Sequence, residues 1–275
     1  MRSGGRQKIK KKVCIIQSRS GSTRLPGKIL LPICGKPMLW HLIERVKRCK
    51  LIEQIVVAIP LHDESYRSIY KVTDECGINL FPYRGKTADL VSRHLAAAKK
   101  FDADTIIRIP GDNPLIEPSE VDRIIEYQGH GTTNKFKFLY SNIQNIHDNG
   151  YPDGIGAEVY SMELLKWIDD NTKDKEHREH PHKICYEKDV VKTIPCPDDI
   201  KRPDLRLDVN TQKDYEFISS IYEALYPGNY EFGIRDIIAF LDKVKSDKAL
   251  AAKLSAKPFY KENVLNELFN KVIKK

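Results

Sequence analysis

Val13-Cys14-Ile15-Ile16-Gln17 reads as a buried strand, and it runs without a break into Ser18-Arg19-Ser20-Gly21-Ser22-Thr23-Arg24-Leu25-Pro26-Gly27-Lys28. A loop carrying three cations, two glycines and several hydroxyls at a strand's end can surround a phosphate chain. It does so with backbone N–H groups, small polar side chains and fixed positive charge. Such a loop belongs at the C-terminal end of the first strand of an α/β sheet, and we read it as a nucleoside triphosphate site. A polar surface turn with incidental cations is the plainer alternative, and the crowding of cations beyond a buried strand weighs against it. The loop is not a Walker A sequence, because five residues separate Gly21 from Gly27 and Ile29 follows the lysine. Pro26 and the arginines also exclude a dinucleotide fingerprint.

The rest of the chain supplies the sheet that such a loop needs. Ile55–Ile59, Ile78–Phe81 and Thr105–Ile109 read as further strands. Helical patterns lie between them: Met38, Leu39, Leu42, Ile43 and Val46 after Pro37; Tyr66, Ile69 and Tyr70 after a cap at Asp63; Leu90, Val91, Leu95 and Ala98 after a cap at Thr87. This alternation predicts parallel strands with right-handed crossovers and sites at the strand C-termini. A helix is expected from Pro118 to about Tyr127, and then the rhythm changes. Phe136–Ser141, Ala157–Tyr160, Val190–Ile194 and Leu205–Val209 read as strands, Asn145–Ile155 as an irregular loop, and Asp169–His182 as a charged solvated loop or flap. Ser161 caps a helix with Leu164, Leu165 and Ile168. Thr211 with Asp214 opens another in capping-box fashion, and Ile234–Val244 is a further amphipathic helix.

At 275 residues, with 41% hydrophobic and 31% charged residues, the chain can bury a large core under a well-charged surface. With no internal repeat and no Gly/Ser- or Pro-rich linker, one α/β domain over 13–245 is expected, with an inserted subregion at about 136–182. A disordered basic tail over 1–12 and a lysine-rich helical appendage over 246–275 flank it. Six cysteines without a C-x-x-C spacing argue against structural zinc or a disulfide framework. No apolar run reaches the length of a membrane span and no signal-peptide core is present, so a cytoplasmic protein is expected. The net charge of +8 comes partly from the tail, and no basic stripe with aromatics suggests nucleic acid. An anionic small-molecule substrate accounts for the charge equally well.

Gln17 to Lys28, followed by Gly35-Lys36-Pro37-Met38, resembles the signature of the cytidylyltransferases that activate acidic sugars, the acylneuraminate and 3-deoxy-manno-octulosonate enzymes, and most of all the branch named for spore-coat polysaccharide biosynthesis. The resemblance implies a Rossmann-like nucleotidyltransferase fold with a mostly parallel central sheet, CTP as nucleotide, Mg²⁺ as cofactor and a homodimer with its interface on the inserted subregion. It gives Arg19, Arg24 and Lys28 charge-neutralising roles at the triphosphate, and Gln17, Ser18, Ser20, Gly21 and Ser22 nucleotide contacts.

Four further segments carry chemistry. Arg108-Ile109-Pro110-Gly111-Asp112 puts a carboxylate just beyond a strand, where it can hold Mg²⁺ or simply bond nearby backbone N–H groups. The family's G-D-x-P-L segment assigns Asp112 to the metal, with Arg108 and Gly111 at the nucleotide. In Leu205–Asp214 the family usually reads V-D-T-P-E-D, its first aspartate a metal ligand; here Asn210 stands at that place and Asp208 two residues earlier, on the same strand face. Either can be the second ligand. Tyr83–Arg93 resembles the branch's R-G-x-x-x-D-x-L-x-R segment, which places Arg84 and Asp89 at the nucleotide, although Asp89 and Arg93 can equally form a surface ion pair. Tyr151-Pro152-Asp153-Gly154 to Glu158-Val159, with Glu179 and His180, matches segments on the acceptor side. His177 and His182 read as solvated.

The reaction so implied is in-line attack of an acceptor oxygen on the α-phosphorus of CTP with release of pyrophosphate. The acceptor is an acidic sugar or a phosphorylated small molecule. A glycosyltransferase using a finished nucleotide sugar, a nucleotidyltransferase using another nucleotide and a non-catalytic nucleotide sensor are the rivals.

Overall fold

A computed structural model describes residues 10–130, 138–143 and 149–247. Strand β1 (Lys12–Gln17) leads through the cation loop to a small hairpin, β2 (Pro32–Ile33) with β3 (Lys36–Pro37), and then to α1 (Met38–Val46). The chain continues through β4 (Gln54–Pro60), α2 (Tyr66–Glu75), β5 (Asn79–Tyr83), α3 (Leu90–Lys100), β6 (Thr105–Pro110) and α4 (Pro118–His130). Next come β7 (Leu139–Ser141), β8 (Glu158–Ser161), α5 (Met162–Asn171), α6 (Lys175–Glu179) and α7 (His182–Glu187). The last elements are β9 (Val191–Thr193), α8 (Gln212–Leu225) and α9 (Ile234–Ser246).

Apart from the hairpin, the strands form one seven-stranded sheet in the order β5-β4-β1-β6-β8-β7-β9, in which β8 alone runs antiparallel to its neighbours. The chain winds outward from β1 to β4 and β5, then returns to the other side of β1 to lay down β6. That reversal opens a crevice between the C-terminal ends of β1 and β6, with Gln17 opposite Pro110. Alternation along the strands builds a core on each face. Cys14, Ile16, Val57, Ile59, Ile107 and Ile109 pack toward α1, α4 and α8, while Val13, Ile15, Val56, Ala58 and Ile106 pack toward α3 and α5. Both faces are covered, as a parallel sheet requires, so polar side chains have room to work only at the strand ends.

Local chemistry differs from expectation at four places. The first residue before α2 is Ser65, and Asp63 instead accepts the Ser20 and Ser65 N–H groups, tying the cation loop to the end of β4. Asp89, not Thr87, caps α3, its carboxylate accepting the Ser92 N–H at 3.0 Å. Leu205–Val209 is extended and buries Leu205, Leu207 and Val209, yet it is not a sheet strand. Its backbone partners are Asp153, through a single bridge at Arg206, and the Asp112 carbonyl, which accepts the Val209 N–H at 2.8 Å. The charged stretch 169–182 contains α6 and the start of α7, because Arg178 bonds Asp89 at 2.9 Å, Ser92 at 2.5 Å and Asp169 at 2.7 Å. The capping box at Thr211 and Asp214 and the Ser161 cap are present as expected. The 1–9 part of the expected tail, 248–275 of the appendage, and 136–137 and 145–148 of the expected strand and loop lie outside the described residues. Among the described residues no helix is long and apolar enough to cross a membrane.

Candidate active site

The ends of β1 and β6, the loop after β1 and the end of α6 enclose a cleft of about 480 Å³. Of the residues singled out in the sequence, Gln17, Ser18, Arg19, Gly21, Ser22, Arg24, Lys28, Arg108, Gly111, Asp112, Glu179, His180 and Asn210 line it. Close approach of the two strand ends depends on Gly111: its N–H bonds the Gln17 carbonyl at 2.8 Å, and a Cβ there would sit 2.7 Å from that oxygen and from Ser18 Oγ.

At the mouth, Lys28 follows Gly27, whose φ of 65° turns the chain back under the loop. Its largely buried ammonium donates to Asp112 Oδ2 at 2.7 Å, to the Val209 carbonyl at 2.6 Å and to Asn210 Oδ1 at 3.3 Å. Arg24 donates to the same Asn210 oxygen at 2.9 Å, while the Asn210 amide nitrogen bonds Asp208. Cations on one side and a carboxylate on the other fix which way this amide faces. The Asn210 backbone N–H bonds Asp214 at 3.0 Å, so the start of α8 holds it too. Asp208 is thus one step removed, bonded to Arg206 at 3.1 Å and to Asn210. Arg19, at the other rim, lies 3.5 Å from Glu179.

At the floor, Arg108 Nε donates to Gln17 Oε1 at 2.8 Å and its NH1 to Glu158 Oε2 at 2.5 Å. Tyr160 donates to the same carboxylate oxygen at 2.6 Å, and His182 Nδ1 lies 3.0 Å from the other one. Burial alone would raise the Glu158 pKa, but Arg108 and His182 hold it well below the usual carboxylate range. Glu158 was expected at an acceptor; it is 2% exposed and its carboxylate serves Arg108 instead, because β8 pairs Glu158 directly with Arg108.

The remaining predicted residues stand outside the cleft lining. Ser20 contributes its backbone, accepting from Ser22 and Gly27. Arg84 lines an adjoining cavity of about 320 Å³ at the ends of β4 and β5, which meets the cleft at Thr87. Asp89, expected at the nucleotide or paired with Arg93, caps α3 and pairs with Arg178. Asp153 lies 3.9 Å from Arg206; burial first, then the charge of Asp208, pushes its pKa to about 6. Arg93 was missed as a cleft residue. It is 1% exposed, lines the cleft, and donates to the carbonyls of Thr87 and, at 3.5 Å, Ser18. Burial, then Arg19, lowers its pKa to about 10. The available signal was a cation in the first turn of a helix, where the macrodipole disfavours one.

A mostly parallel sheet with a cation loop and a carboxylate at its switch point defines a nucleotide-binding α/β protein of the nucleotidyltransferase fold. Residues 13–255 match the family model described as cytidylyltransferase. The chain is 30% identical over 223 residues to the spore coat polysaccharide biosynthesis protein SpsF of Bacillus subtilis, covering 76% of this chain and 85% of that one. It is 31% identical over 248 residues to an uncharacterized protein of Methanocaldococcus jannaschii, covering 89% and 96%. A solved cytidylyltransferase from Leptospira borgpetersenii superposes with a TM-score of 0.77 at 28% identity, over 86% of this chain and 96% of that one. The chain belongs to the cytidylyltransferase family, whose nucleotidyl donor is CTP.

Proposed function

We propose that this chain transfers CMP from CTP to an acidic sugar or a phosphorylated small molecule, releasing pyrophosphate, with Mg²⁺ as cofactor and a role in making surface-glycan precursors. One observation carries the reading: Lys28, Asp112 and Asn210, from three separate segments, meet at the mouth of a cleft rimmed by Arg19 and Arg24. The name of the Bacillus subtilis relative supports the glycan role.

The chemistry asks the protein for alignment and charge neutralisation rather than a covalent intermediate. Gln17, Ser18, Gly21 and Ser22 border the nucleotide, with Arg84 and Arg93 on the side of α3. Arg19, Arg24 and Lys28 neutralise the β- and γ-phosphates as pyrophosphate departs. Among the described residues no three His, Cys, Asp or Glu side chains are grouped to hold a metal. Mg²⁺, however, is commonly held by one or two protein oxygens together with substrate phosphates. Asp112 Oδ2 and Asn210 Oδ1 fit that donor set, since both already converge on a cation, the Lys28 ammonium. We assign these two as the metal ligands, with Asp208 orienting Asn210. Bound there, Mg²⁺ would supply charge neutralisation at the phosphates. Lys28 then exchanges Asp112 for phosphate oxygen when CTP enters.

We place the reaction in the cytoplasm, a reading that six free cysteines support, and in a homodimer whose contact includes the region of exposed Trp167. A pyrophosphate-release screen of the four nucleotides against acidic sugars and phosphorylated alcohols tests the activity. Release from CTP alone, dependent on both acceptor and Mg²⁺, is expected. Consumption of a nucleotide sugar without pyrophosphate would make the chain a glycosyltransferase instead.

A further inference from the structure

Behind the rim of the cleft lies a chain of groups that triphosphate binding leaves without a task. His180 ends α6 and lines the cleft beside Glu179. Arg178 anchors that helix to Asp89 and Ser92 of α3 and to Asp169, so His180 is held over the cleft by a fixed element rather than by a free loop. Its ring centroid is 5.9 Å from that of His182, which lies between it and the buried Glu158, and Tyr186 packs on His182 at 5.6 Å.

We propose that His180 is the catalytic base that takes the proton from an acceptor hydroxyl, so that the acceptor attacks through an alcohol and not through a phosphate. This rests on the CMP-transfer reading and narrows it. A phosphate oxygen is already ionised at neutral pH and gives a base nothing to remove. A sugar hydroxyl must lose its proton as the bond to phosphorus forms. In that step the acceptor oxygen bonds the α-phosphorus and its proton passes to the imidazole. The bond from the α-phosphorus to the bridging oxygen breaks, with its electron pair leaving on pyrophosphate, and His180 afterwards returns the proton to solvent.

The surroundings suit that cycle. Burial first, then His182, lowers the His180 pKa, so the ring is neutral and able to accept at pH 7. Lys183 and Arg108 act in the same direction, and Glu179 opposes them. Glu176, whose carbonyl accepts the His180 N–H at 2.7 Å, is paired with Lys183, and Arg19 faces Glu179. Glu158, held by Arg108 and Tyr160, backs His182 at 3.0 Å and so fixes the ring beside His180.

With a hydroxyl acceptor, His180→Gln should lower kcat by about a hundredfold or more and erase the acidic limb of the pH profile, while CTP affinity by calorimetry is unchanged. In His182→Asn the limb should move to higher pH, because the neighbour that holds the His180 pKa down is removed. Imidazole titration by NMR in free protein reads the same shift with no acceptor present. An unaltered rate and limb in His180→Gln, fastest turnover with a phosphate acceptor, or a His180 titration indifferent to His182→Asn would each overturn the proposal. No CMP transfer by the wild-type protein with any acceptor would overturn the parent reading instead.

Discussion

Lys28 meets Asp112 at the mouth of the cleft at 2.7 Å, and Arg108 meets Glu158 at its floor at 2.5 Å. The side chains of the floor pair are 6% and 2% exposed; at the mouth Asp112 is 28% exposed. Arg108 and Glu158 sit opposite each other on neighbouring strands, with Gln17 and Tyr160 taking further hydrogen-bonding capacity. Lys28, Asp112 and Asn210 come from three separate segments joined mainly by side chains. A ligand can therefore rearrange the mouth, whereas the floor is fixed by strand register. The same chemical pair thus makes a scaffold in one place and an exchangeable contact in the other.

The largest expected effect breaks the floor. Glu158→Ala leaves the Arg108 guanidinium buried without its partner, and such a loss costs about 3–5 kcal/mol, read from the midpoint of urea unfolding. Because the Glu158 pKa is depressed, its contribution is present at neutral pH and is lost only as pH falls through that depressed value. Wild-type and variant curves should therefore stay far apart down to about pH 4. Convergence near pH 5 would show that the pair is no stronger than a surface contact.

At the mouth the balance reverses. Asp112→Ala and Lys28→Ala should lower turnover by about 10²–10³-fold or more, the scale of removing one electrostatic contact to a developing charge, while unfolding midpoints shift less than in the floor variant. Loss of stability comparable with that of the floor variant would make the mouth a scaffold as well.

Much of this contrast is legible in the sequence. Strand–loop chemistry at 13–28 and the turn at 110–114 locate the mouth, because residue type there is dictated by local chemistry. The floor is not legible. Glu158 reads as an acceptor residue until β8 is seen to run antiparallel beside β6, and nothing local reports a cross-strand partner 50 residues away. Asp89 misleads for the same reason, since its partner Arg178 lies in a stretch that reads as solvated. Leu205–Val209 has a strand's alternation but pairs with loops, which periodicity cannot distinguish from a ladder.

Asp153 lies between the two regimes, with burial and Asp208 raising its pKa to about 6. A raised carboxyl favours folding below the unfolded pKa and loses that contribution as pH rises through about 6. Asp153→Asn should therefore stabilise the protein at pH 8, by on the order of 1–2 kcal/mol, and change little at pH 4. An equal effect at both pH values would place Asp153 in ordinary solvent.

The smallest effect asks what holds the mouth in place. Thr211 caps α8, and Asp214 receives the N–H groups of both Thr211 and Asn210, so the amide facing Lys28 is positioned from the helix start as well as by Asp208. Thr211→Ala removes one cap and should cost about 1 kcal/mol of stability. Asp214 keeps its bond to Asn210 in that variant, so kcat should fall by less than tenfold. A fall as deep as that of Lys28→Ala, at the same small stability cost, would mean that the helix start places Asn210 and that the cations merely follow it.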